Sequence, residues 1–205
     1  HYIVPEIEDD TKIILNADKL FHEYFEAKRL GIETKPVVIG AFTMLKLIRY
    51  TGKKTAGDFA EEIIRAYQEL LAKCNEEQVE WLQFDEPSLV KDLDAEDIEL
   101  FHRIYDNILS DAGKCRVLLQ TYFGDVRDIY EDLIRMPFAA IGLDFIEGRQ
   151  TCELIEKFGF PQDKTLFAGL VNGKNIWRNH YEKTLGTVAD LKKKGISVVL
   201  STSCS

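Results

Sequence analysis

Residues 81–87 read Trp-Leu-Gln-Phe-Asp-Glu-Pro, and this segment decides the prediction of the fold. The mostly apolar run over 80–84 is typical of a short buried strand. It ends at two carboxylates, Asp85 and Glu86, and Pro87 then prevents further strand pairing because it has no amide hydrogen. The segment therefore predicts a buried strand that delivers two acidic side chains to its carboxyl end.

The same pattern of a short apolar run followed by polar residues recurs along the chain. It predicts five further strands, over 37–39, 116–121, 139–144, 165–170 and 197–200. Helical periodicity predicts helices over 16–30, 56–74, 95–109, 126–134, 150–158 and 176–194. Strands that alternate with helices imply right-handed βαβ units and a parallel sheet.

A parallel sheet can belong to a doubly wound fold or to a (β/α)8 barrel, and the residues that follow the strands distinguish the two. A doubly wound sheet usually carries a glycine-rich phosphate turn after an early strand, but the turn over 40–43 reads Gly-Ala-Phe-Thr. A (β/α)8 barrel instead places polar residues at the carboxyl ends of many strands. We therefore predict an α/β fold, a (β/α)8 TIM-type barrel. Since a barrel needs eight strands and about 250 residues, it is incomplete here, with about six strands in a single partial domain over 1–205.

Charge and composition exclude several classes of function. The 26 basic and 35 acidic residues give a net charge of −9, which argues against nucleic acid and anionic membranes as partners. The four cysteines are scattered without a C-x-x-C pair, which favours thiols in a reducing cytoplasm. The first residues show no signal peptide, and the chain opens on His1 rather than Met, so we expect a cytoplasmic fragment.

Each candidate site residue has a functional and a structural interpretation. Asp85 and Glu86 could hold an ammonium group or act as acid and base, or they could cap the next helix. Tyr122 offers a hydroxyl, which is a poor zinc ligand. Asp144 could reach the mouth of the barrel, or, with Glu147, it could complement a helix N-terminus.

The last two strand ends leave the same choice open. Asn172 begins a tight turn, and Arg178 near a predicted helix start could bind an anion or lie in solvent. Cys204 could be a metal thiolate or a nucleophile, but the sequence offers no nearby histidine partner. The substrate-proximal candidates are Asp85, Glu86, Tyr122, Asp144, Asn172 and Cys204.

Seven segments, taken in order, resemble the N-terminal half of the cobalamin-independent methionine synthases. They are HYIVPE, KPVVIGAFTMLKL, VEWLQFDEPSLV, VLLQTYFGDV, GLDFIEG, AGLVNGKNIWR and VLSTSCS, and they run from His1 to Ser205. A single Asp-Glu-Pro at a strand end is a weak signal. The ordered combination at successive strand ends is a strong one.

The resemblance implies a two-barrel methyltransferase that makes methionine. Such an enzyme moves the methyl group of 5-methyltetrahydrofolate polyglutamate to homocysteine, and zinc in the C-terminal barrel activates the thiolate. Folate binds between the barrels, and basic residues upstream of His1 hold its tail. The resemblance makes this chain a non-catalytic scaffold and a folate-facing wall, and its substrates are held through the C-terminal barrel.

The resemblance also implies that this chain binds no zinc. The family's active half has a His-x-Cys pair where this chain has Thr121, Tyr122 and Phe123. Asp144 and Glu147 stand near the position of a glutamate ligand, and Cys204 corresponds loosely to a final cysteine ligand. One partial match is too little for a zinc site.

Two alternatives remain open at this point. The chain could be another barrel of the uroporphyrinogen-decarboxylase-like superfamily, although acidic strand ends suit a porphyrin's carboxylates poorly. It could also be a stand-alone binding domain without catalysis. Because the six strands match the third to eighth of the family's barrel, unpaired strand edges are expected, and we expect the 205-residue piece not to be a self-sufficient enzyme.

Overall fold

The computed structural model describes residues 5–204, and within that range the chain forms eight strands and seven α-helices. The strands are β1 (Glu6–Ile7), β2 (Val37–Ile39), β3 (Arg49–Tyr50), β4 (Trp81–Asp85), β5 (Arg116–Gln120), β6 (Ala140–Asp144), β7 (Thr165–Val171) and β8 (Ser197–Thr202). The helices are α1 (Asp18–Arg29), α2 (Ala41–Leu47), α3 (Ala56–Glu76), α4 (Ala95–Ile108), α5 (Tyr130–Arg135), α6 (Thr151–Phe158) and α7 (Tyr181–Lys193).

Six strands form one sheet in the order β2-β4-β5-β6-β7-β8, and β1 pairs with β3 in a separate parallel pair. The pairs from β5 to β8 are all parallel. Along the six-stranded sheet the order follows the sequence without reversing, whereas a doubly wound sheet reverses its order at the switch point. The prediction of an incomplete (β/α)8 barrel is confirmed.

The six predicted strands are all present, but β1, β3 and α2 were not predicted. Two-residue strands are too short to show a period in the sequence. Helix α2 buries Ala41, Phe42, Thr43 and Leu45, so it lacks the polar face on which helix prediction depends. The sequence pattern therefore predicts the long elements. It misses short elements whose structure depends on packing against neighbouring residues.

The predicted helix over 176–194 begins later than expected, at Tyr181. Further upstream, the side chain of Asn172 accepts the amides of Lys174 and Asn175, which makes a turn at the exit of β7. The apolar residues Trp177, Tyr181 and Leu185 are 76%, 60% and 63% exposed. Their spacing of four is helical in the sequence, but it does not mark a buried face here.

The contacts divide the chain into two compact units. The first contains the residues up to Phe84 together with Asp94–Val117, and the second contains Asp85–Leu93 and the residues from Leu118 onward. In the first unit α3 packs against α4, and an aromatic cluster fills the core. The ring of Phe101 lies 4.8 Å from Tyr105 and 5.9 Å from Phe42, and the Tyr105 hydroxyl accepts the Ala41 amide at 3.3 Å.

The second unit is built on β6, of which all five residues are buried. A strand covered on both faces is typical of a parallel sheet. Strand β8, at the end of the strand order, is instead largely exposed, and Val199 and Leu200 are 40% and 53% accessible. The second unit thus has one fully buried strand and one whose apolar residues face solvent.

A buried lysine ties the start of β7 to the segment before β6. The ammonium group of Lys164 donates to the carbonyl oxygens of Met136 at 2.7 Å and Phe138 at 3.0 Å. Burial lowers the pKa of Lys164 because desolvation disfavours its charged form. These two bonds provide the compensation that a buried ammonium group needs.

We predict that Lys164→Met weakens the second unit locally, because the Phe138 carbonyl loses this donor. Loss of a hydrogen bond from a charged group costs about 1.5–3 kcal/mol, which corresponds to a roughly 10- to 150-fold loss of amide protection. Hydrogen exchange of the β6 and β7 amides measures this loss. Lys192→Met, at an exposed position of α7, is the matched control and should leave the protection unchanged. Equal protection in both variants would show that the two Lys164 bonds contribute nothing.

Candidate functional site

The structure places all six candidate residues at one edge of the sheet, within the second unit. This follows from parallel pairing, because the carboxyl ends of neighbouring parallel strands meet at the same edge. The candidates are the last residue of a strand or follow it by one or two positions: Asp85 and Glu86 at β4, Tyr122 after β5, Asp144 at β6, Asn172 after β7 and Cys204 after β8.

At the end of β4, Glu86 is built into the chain rather than presented to solvent. The residue is 0% exposed, and its amide donates to the Gln120 carbonyl at 2.8 Å. Its own carbonyl accepts the Leu89 amide at 3.2 Å, in the short 3-10 helix Pro87–Val90. Glu86 occupies the N-cap position of this helix, although its side chain makes no capping bond. Asp85 beside it is half-buried.

The exit of β5 consists of buried polar residues that bond to the neighbouring strand. Both the amide and the hydroxyl of Thr121 donate to the Gly142 carbonyl, at 2.9 and 2.8 Å. The Gln120 side-chain amide donates to the Thr121 carbonyl at 2.9 Å. It lies so close to Gly142 that a Cβ there would overlap it. These groups are satisfied within the protein, and Tyr122, which follows them, is buried.

Phe123 turns the chain sharply after Tyr122. Its φ of 71° lies in the left-handed region, which is costly for a bulky residue. The ring is 44% exposed, and the ammonium group of Lys174 lies 5.5 Å from its centre. The strained turn puts an aromatic ring at the solvent side of the edge, next to a cation.

Asp144 is the most unusual group of the edge. It is 1% exposed, and its Oδ1 accepts the amides of Ile146 at 2.7 Å and Glu147 at 3.0 Å. Its Oδ2 is buried without a hydrogen-bond partner among the described residues. Burial raises the pKa of Asp144, and the charge of Glu147 adds to the rise, whereas the backbone amides of Glu147, Ile146 and Phe123 oppose it.

The loops after β6 and β7 are joined by an ion pair on the surface. Glu147 accepts from the ammonium group of Lys174 at 2.8 Å, and both side chains are about half exposed. The hydrogen bond to Glu147 raises the pKa of Lys174. An exposed pair of this kind contributes little to stability.

Asn172 and Cys204 lie at the exits of β7 and β8, and local contacts hold both. Asn172 accepts the amides of Lys174 at 3.0 Å and Asn175 at 3.2 Å. Cys204 is buried, and its carbonyl accepts the Thr202 hydroxyl at 2.7 Å. Gly173 passes so close that a Cβ on it would come within 2.7 Å of the Cys204 sulfur. Asn172 therefore shapes a turn, and the turn covers the thiol.

The donor set at this edge does not fit zinc. In the part of the chain that the structure describes, no three His, Cys, Asp or Glu side chains group together as metal ligands would. A structural zinc site needs four N or S ligands, and a catalytic site needs three. Asp144 and Cys204 alone fall short of either.

A cavity of about 470 Å³ opens beside the candidate edge, within the second unit. Leu170, Val171 and Asn172 line one part of it, and Trp177, Arg178, His180 and Lys183 line another. Two basic side chains and an indole suit an anionic, partly aromatic ligand. The contribution of His180 and Lys183 was not predicted: His180 directly precedes α7 and Lys183 lies in its first turn, and neither position marks a binding site in the sequence.

None of the helices among residues 5–204 is both long and apolar enough to cross a membrane.

The parallel sheet and its polar edge are those of a (β/α)8-type barrel domain, and comparison with known families identifies the family. The family model described as cobalamin-independent synthase, N-terminal domain, matches residues 1–195. The chain belongs to this family.

Two curated relatives that match the whole chain carry the same protein name. The 5-methyltetrahydropteroyltriglutamate–homocysteine methyltransferases of Campylobacter jejuni subsp. doylei and Streptococcus suis are 52% and 54% identical to the chain over all 205 residues. The chain spans 27% of the length of each relative. The aligned region therefore covers the whole of this chain but only about a quarter of each relative.

Solved structures share the fold at low sequence identity. The B12-independent methionine synthase of Shewanella sp. W3-18-1 superposes with a TM-score of 0.72 at 16% identity, covering 93% of this chain and 60% of that one. A Listeria monocytogenes structure, provisionally described as a vitamin-B12 independent methionine synthase, gives 0.77 at 16% identity, with 96% and 66% covered. At this identity the likeness concerns the fold alone.

We predict that Asp144→Asn changes how stability depends on pH. A raised folded-state pKa means that the folded protein binds more protons than the unfolded chain, so Asp144 favours folding at low pH. This contribution is lost as the pH rises from about 3.9, the unfolded aspartate value, through the raised folded pKa. The variant should thus gain stability relative to the parent as the pH rises through that window.

Urea unfolding midpoints of both proteins between pH 4 and neutrality measure the difference, at steps of about half a pH unit. Glu153→Gln, at an exposed position of α6, is the control and should follow the parent at every pH. A difference between Asp144→Asn and the parent that stays constant with pH would contradict the raised pKa.

Proposed function

We propose that residues 1–205 form a single partial barrel domain, the N-terminal barrel portion of a methyltransferase. The parent enzyme would move the methyl group of a 5-methyltetrahydrofolate polyglutamate to the sulfur of homocysteine and release methionine. The observation that carries this proposal is the identity of 52–54% over the whole chain to relatives named for this reaction. We further propose that the parent acts in the cytoplasm.

Within that enzyme we assign this chain a non-catalytic, supporting role. The polar groups at its strand ends bond mainly to its own backbone: Thr121 to Gly142, Asp144 to the amides of 146 and 147, and Asn172 to those of 174 and 175. Groups used in this way stiffen loops and leave few ligands for a metal or an amino acid. The zinc that activates homocysteine would accordingly belong to the C-terminal barrel.

The second part of the proposal is that the chain faces the folate. The cavity lined by Trp177, Arg178 and Lys183 offers an exposed indole for a planar ring and two cations for carboxylates. Arg178 also lies 5.8 Å from the ring of Tyr181, which keeps its guanidinium group near the helix start. This wall would contribute to binding of the methyl donor and not to the transfer step.

The reaction itself is tested in the full-length protein that carries this chain. We expect homocysteine-dependent formation of methionine from 5-methyltetrahydropteroyltriglutamate, followed by mass spectrometry of the product. Cys204→Ser should keep the zinc content and the rate of the parent, because Cys204 is a buried neighbour of Gly173 rather than a ligand. Absence of methionine formation would refute the methyltransferase, and loss of one zinc equivalent in Cys204→Ser would refute the supporting role.

The folate-facing wall is tested by the double variant Arg178→Ala/Lys183→Ala. Each charge-assisted hydrogen bond is worth about 1.5–3 kcal/mol, so the KM for the triglutamate donor should rise at least tenfold. The kcat and the KM for homocysteine should stay within twofold. Lys192→Ala on the same helix is the matched control. A fall in kcat at unchanged KM would place these residues outside donor binding.

A further inference from the structure

Two cysteines of the first unit lie side by side in its interior. Cys74 is on α3 and Cys115 directly precedes β5, and they are 0% and 4% exposed. The amide of Cys115 donates to the side chain of Asn75, the residue after Cys74, at 3.0 Å, and no disulfide joins the two cysteines. Strand β4 and helix α4 lie between the two cysteines along the chain, so the sequence does not show that they are neighbours.

The side chain of Asn75 holds the backbone next to both cysteines through hydrogen bonds. Its Oδ1 accepts the amides of Lys114 at 2.7 Å and Cys115 at 3.0 Å. Its Nδ2 donates to the carbonyls of Leu71 at 2.9 Å and Ala112 at 2.8 Å. Because Asn75 follows Cys74 directly, these four bonds hold the loop of Cys115 against the end of α3.

Gly113 makes this close approach feasible. Its φ of 66° lies in the left-handed region, and a Cβ there would come within 2.6 Å of the Asn75 side chain. Only glycine combines that backbone conformation with that space. The loop is thus shaped to bring Cys115 to Cys74 and to keep it there.

The two neighbouring thiols are chemically unequal. Their interaction holds the pKa of Cys115 below its usual value and raises the pKa of Cys74. A thiolate is the nucleophilic form of cysteine, so Cys115 is the sulfur that reacts first. Cys74 remains protonated beside it as the partner.

We propose that Cys74 and Cys115 are a redox-active pair that closes to a disulfide when the protein meets hydrogen peroxide. The Cys115 thiolate attacks one peroxide oxygen, an S–O bond forms, the O–O bond breaks, and the departing hydroxide takes a proton to become water. Cys74 sulfur then attacks the sulfenic sulfur, and the second oxygen leaves as water with the Cys74 proton. Two thiols are oxidised and one peroxide is reduced to two waters.

The burial of the pair limits the oxidant to a small one. Hydrogen peroxide is about the size of two waters, whereas the glutathione disulfide is too large to reach a sulfur that is 4% exposed. The disulfide would link the end of α3 to the start of β5. A thiol reductant that reaches the opened loop would restore the two thiols.

The test treats the native full-length protein with hydrogen peroxide, blocks the remaining thiols with an alkylating reagent, and maps peptides without reduction. We expect a peptide pair joined through Cys74 and Cys115, lighter by two hydrogens, that disappears on treatment with dithiothreitol. Cys152→Ser removes an exposed thiol of α6 and should leave this link unchanged. Alkylation of both cysteines after peroxide, or their linkage to other cysteines instead, would overturn the proposal.

Two further measurements keep the result independent of folding defects. In Cys74→Ser we expect Cys115 to stop at the sulfenic acid, which dimedone traps when it is added together with denaturant after peroxide is removed, and in Cys115→Ser we expect Cys74 to remain unmodified. In the parent, the link should form at least tenfold faster in the native protein than in concentrated urea. A link that forms faster in urea would mean that the fold keeps the two sulfurs apart, and it would overturn the proposal equally.

Discussion

Parallel strand pairing is the constraint on which the rest of this structure depends. Strand β6 is buried along its whole length, and a polar side chain in its middle would lose its hydrogen bonds to water. Its one polar residue, Asp144, is the last of the strand, and the other candidate residues likewise stand at or just after strand ends. Since all carboxyl ends of parallel strands face the same way, Asp85, Asp144 and Cys204 share one edge although they are far apart in the sequence.

What such an edge does depends on where its polar atoms are used. Here Thr121, Asp144 and Asn172 direct their oxygens to backbone groups of the adjacent turns. Among residues 5–204, the buried Asp144 Oδ2 has no hydrogen-bond partner, and no group of possible metal ligands forms around it. The same architecture that supports catalysis in many barrels is used here to hold loops in place.

The sequence predicted the elements that have a long period or a clear boundary. Six strands were found within one or two residues, and two of the predicted helices end at glycines with positive φ, Gly31 and Gly195. The predictions failed where burial surrounds a short element, as in α2, or where a turn replaces a helix, as before Tyr181. In those places side-chain hydrogen bonds and neighbours outweigh local periodicity.

The sequence by itself determined the fold class, the edge at which polar residues gather, and the resemblance to a synthase family. These three features depend on the order and spacing of residues, which the sequence gives directly. Only the tertiary structure decided that Asp144 keeps one unpaired oxygen, that Gly173 covers Cys204, and that Cys74 meets Cys115 through Asn75. These facts depend on distances between residues far apart in the chain, and packing in three dimensions sets those distances.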